Sequence, residues 1–200
     1  DDRAGLAHFT EHMLFLGTET YPDPGEYHQF INSHGGSHNA YTSGLDTNYF
    51  FNVEPEFLKP ALDRFSEQFR APTFAAQLIE RERNAVHSEY KAHLRSDNRR
   101  FWSALRRTFP EGHPLSRFTV GNLATLSNEN GSLRDETVAF YEKHYSANLM
   151  ELVVLGPQSL DELESLAVER FSPVANRGHD APRYVTPFLN CLYNCDYCFL

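Results

Sequence analysis

Hydrophobic residues recur at helical spacing in one part of the chain and fall in short strand-like runs in another. After Pro55 an apolar residue returns every three or four positions. This predicts an amphipathic helix whose apolar stripe is Phe57, Leu58, Ala61, Leu62, Phe65 and Phe69. Residues 37–43 and 47–54 flank the turn Gly44-Leu45-Asp46, and this arrangement predicts two strands.

The rest of the chain predicts further helices and one more strand. Charged and small residues favour a long helix over 77–90, which Pro72 separates from the preceding helix. The apolar run Leu149–Leu155 predicts a buried strand, and 109–131 is rich in loop-forming residues. Other helices are predicted at 1–17 (opened by acidic residues and closed by glycine), from Pro24-Gly25 to Gly35-Gly36, at 132–144 and at 160–171. Helices packed on a largely antiparallel sheet make an α+β fold.

The segment His8-Phe9-Thr10-Glu11-His12 carries the inverted zinc-protease pattern H-x-x-E-H. On a helix, His8 and His12 lie about 40° apart and Glu11 lies about 60° to the other side of His8. The two imidazoles can bind zinc while the carboxylate of Glu11 acts as general base beside a metal-bound water. The pentapeptide alone leaves two interpretations open, a zinc site and histidines that hydrogen-bond within a core.

Catalytic zinc usually has three protein ligands, so a third ligand is required. Glu82 and Glu89 lie seven residues apart on the long helix, on one face and about 10 Å from each other. One zinc ion cannot bind both carboxylates, so one would be a ligand and the other would support the site. Glu80 and His87 point to other faces of this helix. Taken alone, each of these glutamates is more typical of a solvated helix charge than of a metal ligand.

These sequence motifs together resemble the pitrilysin and insulin-degrading enzyme family of zinc peptidases over residues 1–176. The matching stretches are Gly5–Thr18, Asn39–Gly44, Thr47–Tyr49, Glu82, Asn84–Val86, Ser88-Glu89, His113-Pro114 and Tyr145–Met150. The resemblance implies that His8, His12 and Glu89 bind one Zn²⁺ and that Glu82 supports the site. It also implies that Asn39, Ala40 and Tyr41 form a strand edge that binds the peptide substrate, where the alternative is an interior strand with Tyr41 in the core.

The resemblance implies a zinc metalloendopeptidase with the α+β fold of the catalytic N-terminal domain of these peptidases. Residues 1–176 would then be an incomplete catalytic domain that lacks the strands expected before the first helix. Family members close a chamber around the peptide with a metal-free second half, which we expect to be absent here. The resemblance favours the bacterial periplasm over the cytoplasm as the compartment.

Residues 177–200 predict a junction and an unrelated tail that contains all the cysteines, Cys191, Cys195 and Cys198. The spacing C-x-x-x-C-x-x-C resembles the start of radical S-adenosylmethionine enzymes of the spore photoproduct lyase type. Three thiolates of this kind hold a 4Fe-4S cluster. Two alternative functions therefore stay open: a fragment of such an iron–sulfur enzyme with a peptidase-like passenger, and a non-catalytic structural subunit.

Composition excludes some functions. The formal net charge of −9 argues against nucleic acid as the main partner, because phosphate contacts need clustered cations. The sequence contains no apolar stretch of the ~18 residues that a membrane-spanning helix needs. Sixteen Phe and ten Tyr among 200 residues supply a substantial core.

Overall fold

The computed structural model describes residues 3–110 and 112–180. In this part of the chain, helices surround one hairpin of two antiparallel strands. The helices are α1 (Leu6–Leu14), α2 (Glu26–Ser33), α3 (Leu58–Arg70), α4 (Ile79–Ala92), α5 (Asp97–Arg106), α6 (Leu133–His144) and α7 (Leu160–Phe171), and the strands are β1 (Ser37–Thr42) and β2 (Thr47–Asn52). Short 3₁₀ turns lie at Pro55–Phe57, Ala76–Leu78, Pro114–Ser116 and Ala147–Leu149. None of the helices in the described ranges is long and apolar enough to cross a membrane.

Helix α1 is the central element of the largest core. Phe9 and Leu14 are completely buried, and Met13 is nearly so, against residues of α4 and α6. The helix begins after Gly5, whose φ of 86° is in the left-handed region. A Cβ at Gly5 would collide with the backbone of Gly121, so both the conformation and the close approach require glycine. No acidic residue occupies the first turn of α1, so the expectation that acidic residues open this helix was wrong.

The hairpin packs its inward side chains on α1 and α2. β1 and β2 pair in register, with Asn39 opposite Phe50 and Ala40 opposite Tyr49. Alternate residues of each strand are exposed, as expected for a sheet with one covered face. A second core cluster joins α2 to α3 through Tyr27, Ile31, Ala61 and Phe65, and a third joins α3 to α7 through Leu58, Leu62, Leu163 and Leu166.

The predicted strand over Leu149–Leu155 does not form. A 3₁₀ turn occupies Ala147–Leu149, and the following residues have no regular secondary structure. Val153 is 90% exposed and Leu155 is 92% exposed. An apolar run becomes a buried strand only when a neighbouring strand accepts its backbone hydrogen bonds, and within the described ranges the only paired strands are β1 and β2.

The close approach of Gly5 to Gly121 gives a prediction about stability. Gly131 also has a positive φ, 73°, but a Cβ there would meet nothing within 4 Å. Gly131→Ala should therefore lower the free energy of unfolding only by the conformational penalty of about 1–2 kcal/mol. Gly5→Ala should lower it by more, because it adds a backbone collision. Urea denaturation of both variants followed by circular dichroism measures the difference, and equal losses would contradict it.

Candidate metal centre and active site

Two histidines of α1 and one glutamate of α4 bring three potential metal ligands together. His8 Nε2 and His12 Nε2 are 3.2 Å apart. Glu89 Oε2 lies 3.3 Å from His8 Nε2 and 3.6 Å from His12 Nε2. A tetrahedral zinc ion with bonds of about 2.0–2.1 Å separates its ligand atoms by about 3.3 Å. The donor atoms therefore have the chemistry and the spacing of a metal site, and no other group of three His, Cys, Asp or Glu side chains converges in this way within the described ranges.

The far nitrogen of each imidazole is held by a hydrogen bond. His8 Nδ1 donates to the carbonyl oxygen of Val120 at 2.7 Å, and His12 Nδ1 donates to Glu82 Oε1 at 2.7 Å. These bonds fix the Nδ1–H tautomer and leave both Nε2 lone pairs free for a metal ion. The two rings stand nearly perpendicular, at 88°, so that both Nε2 atoms point to one place.

Glu82 and Glu89 take different positions although they share one face of α4. Glu89 reaches the Nε2 side of both imidazoles, whereas Glu82 is buried and reaches the Nδ1 side of His12. The alternative ligands lie elsewhere: Glu80 is exposed and contacts Arg83, and His87 Nδ1 lies 3.4 Å from the backbone nitrogen of Leu123. Glu89 thus contacts the nitrogens that face the shared position, and Glu82 contacts the far nitrogen of His12.

The carboxylates change the protonation of the centre. Burial on its own lowers the pKa of His12, but the hydrogen bonds to Glu82 and Glu89 outweigh it and raise this pKa to about 9. The same bonds from His12 and His8 hold the pKa of Glu89 well below its usual range. Both shifts favour a doubly protonated His12 ring next to an ionised Glu89 as long as no cation binds between them. Metal binding to Nε2 of His12 has to displace the proton on that nitrogen.

Glu11 lies on the same helix as the two histidines but binds neither of them. Its carboxylate is buried, and Oε2 accepts a hydrogen bond of 2.5 Å from Thr42 Oγ1 at the end of β1. Nearby, the hydroxyls of Tyr49 and Tyr145 are 2.6 Å apart. Burial raises the pKa of both phenols, and the charge of Glu11 adds to this effect. Glu11 is thus a carboxylate held in one orientation by Thr42, and it directly precedes the candidate ligand His12 in the sequence.

Sequence reasoning missed two groups that position the centre. The group that contacts His8 is the backbone carbonyl of Val120 in a loop. Every residue type has such a carbonyl, so the identity of residue 120 could not indicate this contact. Thr42 is the residue of the predicted strand that directly follows Asn39, Ala40 and Tyr41, and its place within Asn39–Gly44 was the available signal. Both groups fix side chains that the motif did identify, His8 and Glu11.

The predicted substrate strand is exposed along part of its length. Tyr41 is 52% exposed, so it is not the core residue of the alternative interpretation. Among the described residues, β1 pairs only with β2, and its other edge has no backbone partner. Asn39 lines a cavity of about 280 Å³ together with Glu11 and His12. Cys191, Cys195 and Cys198 lie outside the described residues, so the iron–sulfur site stays a prediction, and so does the junction at 177.

Comparisons with known proteins agree with this geometry. Residues 1–122 match the family described as Insulinase (Peptidase family M16), and residues 132–195 match the Peptidase M16 inactive domain. The A-factor-processing enzyme of Saccharomyces cerevisiae is 44% identical over 189 residues, which cover 92% of this chain and 18% of that enzyme. Insulin-degrading enzyme of Homo sapiens is 45% identical over 185 residues, which cover 90% of this chain and 18% of that enzyme.

A solved structure also matches. The crystal structure of pitrilysin superimposes with a TM-score of 0.87 at 36% identity, over 92% of this chain and 20% of pitrilysin. The match confirms the predicted α+β fold, with a sheet of two antiparallel strands in the described part. The chain thus spans about a fifth of the length of the relatives it matches. The motif resemblance is confirmed, and the chain belongs to the insulinase family of peptidases, family M16.

Proposed function

We propose that this chain carries the catalytic centre of a zinc metalloendopeptidase, with one Zn²⁺ bound by His8, His12 and Glu89. The convergence of these three ligands next to the buried carboxylate of Glu11 carries the proposal. When bound, zinc supplies Lewis acidity that lowers the pKa of a water molecule and polarises the substrate carbonyl. Glu82 supports the centre by holding the ring of His12.

Glu11 is the general base in this proposal. Its carboxylate accepts the proton of the attacking water and later delivers it to the leaving amine. Thr42 holds Glu11 Oε2 and leaves the second carboxylate oxygen free of a hydrogen bond among the described residues. Thr42 thereby orients the base without neutralising it.

The edge of β1 is the proposed binding site for the peptide. An extended peptide can add to an unpaired strand edge through backbone hydrogen bonds that do not depend on its sequence. Asn39, Ala40 and Tyr41 lie on this strand, and Thr42 at its end contacts Glu11. A peptide bound along Asn39–Tyr41 would therefore run toward the general base.

We also propose that activity requires a second, metal-free half. The match to the Peptidase M16 inactive domain and the one-fifth coverage of the relatives support this. The centre lies at an open surface here: the side chains of Glu89 and His12 remain 34% and 24% exposed. Water at an open centre weakens every electrostatic interaction that stabilises a developing charge.

The metal assignment predicts different losses for the two glutamates of α4. Glu89→Ala removes a ligand and should nearly abolish zinc binding. Glu82→Ala removes only the support of His12 and should weaken zinc binding about 10–100-fold. Glu80→Ala is the matched control on the same helix, and it should leave zinc binding unchanged. Zinc content after dialysis against graded chelator concentrations measures all three, and equal zinc content in the Glu82 and Glu89 variants would refute the assignment.

The role of Glu11 predicts that zinc binding and hydrolysis can be separated. Glu11→Gln keeps the shape and the hydrogen bond from Thr42 but removes the basicity. It should retain zinc and slow hydrolysis by ~10²–10⁴-fold. His8→Ala should lose zinc and hydrolysis together. Hydrolysis is measured with a fluorogenic peptide and with the chain in molar excess over the peptide, so that even slow cleavage is detected. Loss of zinc in Glu11→Gln, or normal hydrolysis by it, would overturn the role.

The need for a second half predicts that the zinc-loaded 200-residue chain is a slow peptidase on its own. Intact enzymes commonly turn over at ~1 s⁻¹ or faster. We expect the chain to fall well below this rate because the candidate ligands His12 and Glu89 are open to water in the described part of the chain. Steady-state hydrolysis of a fluorogenic peptide, with zinc content measured on the same sample, is the test. A turnover of ~1 s⁻¹ by the chain alone would exclude the requirement.

A further inference from the structure

A second pair of histidines lies across the cavity from the catalytic motif. His28 belongs to α2 and His38 to β1, and His28 Nδ1 lies 3.0 Å from His38 Nε2. Their rings are 5.2 Å apart at 86°. The corresponding values for His8 and His12 are 3.2 Å between nitrogens, with rings 4.7 Å apart at 88°. The two pairs therefore have nearly the same geometry.

We propose that His28 and His38 form a second, weaker binding site for a divalent transition-metal ion such as Zn²⁺. Two nitrogens about 3 Å apart fit a metal ion with Zn–N bonds of about 2.0–2.1 Å. Imidazole nitrogens suit Zn²⁺, Cu²⁺ and Ni²⁺. The pair comes from two different elements, so the fold and not the helix repeat brings the two nitrogens together.

The surroundings hold both rings in place. The His38 ring packs between Phe15 and Tyr27, with ring centres 5.1 and 4.9 Å away. The amide of Asn32 lies 2.8 Å from His28 Nε2, the nitrogen that points away from the pair. The contacting atom is the amide nitrogen Nδ2, which donates to Nε2, so neutral His28 carries its proton on Nδ1 and donates it to His38 Nε2. Metal binding at Nδ1 moves this proton to Nε2, and a turn of the Asn32 amide then brings its oxygen to the Nε2–H.

The pKa of His38 shifts in the opposite direction from that of His12. Burial lowers the pKa of His38, and the neighbouring His28 lowers it further. A neutral imidazole is the form that binds a metal ion. Among the described residues no carboxylate hydrogen-bonds to either histidine of this pair, whereas Glu82 and Glu89 contact His12. A metal ion therefore meets less proton competition at His38 than at His12, but it also gains no charge neutralisation.

The site should be the weaker of the two because it has two protein ligands. No third His, Cys, Asp or Glu of the described chain joins this pair. Water must complete the coordination of the ion. Both histidines line the same cavity as Glu11 and His12, so an ion there would narrow the space next to the catalytic centre. This consequence rests on the proposed peptidase function, whereas metal binding by the pair does not.

The test is the number of zinc ions bound by the whole chain, measured by equilibrium dialysis with Zn²⁺ as the only metal. With the three cysteine thiols alkylated so that they bind no zinc, we expect two ions per chain, one tight and one weak. His28→Ala and His38→Asn should each lose the weak ion and keep the tight one. His12→Ala should lose the tight ion and keep the weak one, which separates this proposal from the catalytic site.

His34→Ala is the matched control. His34 follows α2 directly, but its ring packs on Phe30 and Phe57 and its Nδ1 faces the carbonyl of Phe30. This variant should bind both ions. Circular dichroism confirms that each variant is folded, and His28 is exposed, so its loss should not disturb the core. A wild-type chain that binds one ion, or two ions retained in both His28→Ala and His38→Asn, would overturn the proposal.

Discussion

The buried contact between Glu82 and His12 is the interaction on which the candidate metal centre depends. A carboxylate that is only 9% exposed is unfavourable in a protein interior unless it has a charged or hydrogen-bonded partner. His12 Nδ1 is that partner, at 2.7 Å. The same bond fixes the ring of His12, keeps its Nε2 free and holds α4 against α1. Glu89 then reaches the shared position because it lies two helical turns further along α4. Glu82, the proposed supporting residue, and Glu89, the proposed ligand, thus both depend on the contact between α1 and α4.

Helical periodicity predicted much of this arrangement, but not all of it. The spacing of His8, Glu11 and His12 placed three groups on one helix, and the helix predicted over 160–171 has the observed bounds of α7. Spacing on α4 could not decide between Glu82 and Glu89, because both lie on one face. That choice depends on where α4 crosses α1, which is a tertiary property. Thr42 and the carbonyl of Val120 act through the same kind of long-range contact, so local pattern could not identify their roles.

The predicted strand over Leu149–Leu155 failed for a related reason. A run of apolar residues indicates that a segment tends to be buried. A strand also needs a neighbouring strand that forms hydrogen bonds with its backbone. Within the described residues that neighbour is lacking, and Val153 and Leu155 remain on the surface. Phe101 and Trp102 on α5 are also exposed, and none of the residues of α5 is buried. Exposed apolar patches of this kind mark surfaces that contact other protein segments. They agree with the proposal that the centre works together with a second half.

The two histidine pairs show how surroundings, and not ligand spacing alone, set the function of a site. Both pairs place two nitrogens about 3 Å apart. Glu89 adds a third ligand and negative charge to His8 and His12, and Glu82 strengthens the basicity of His12 as a ligand. His28 and His38 have an amide and aromatic rings as neighbours. The binding free energy of a divalent cation is more favourable where carboxylates compensate its charge. The α1 pair is therefore the one suited to hold a permanent catalytic ion, and the other pair is suited to exchangeable binding.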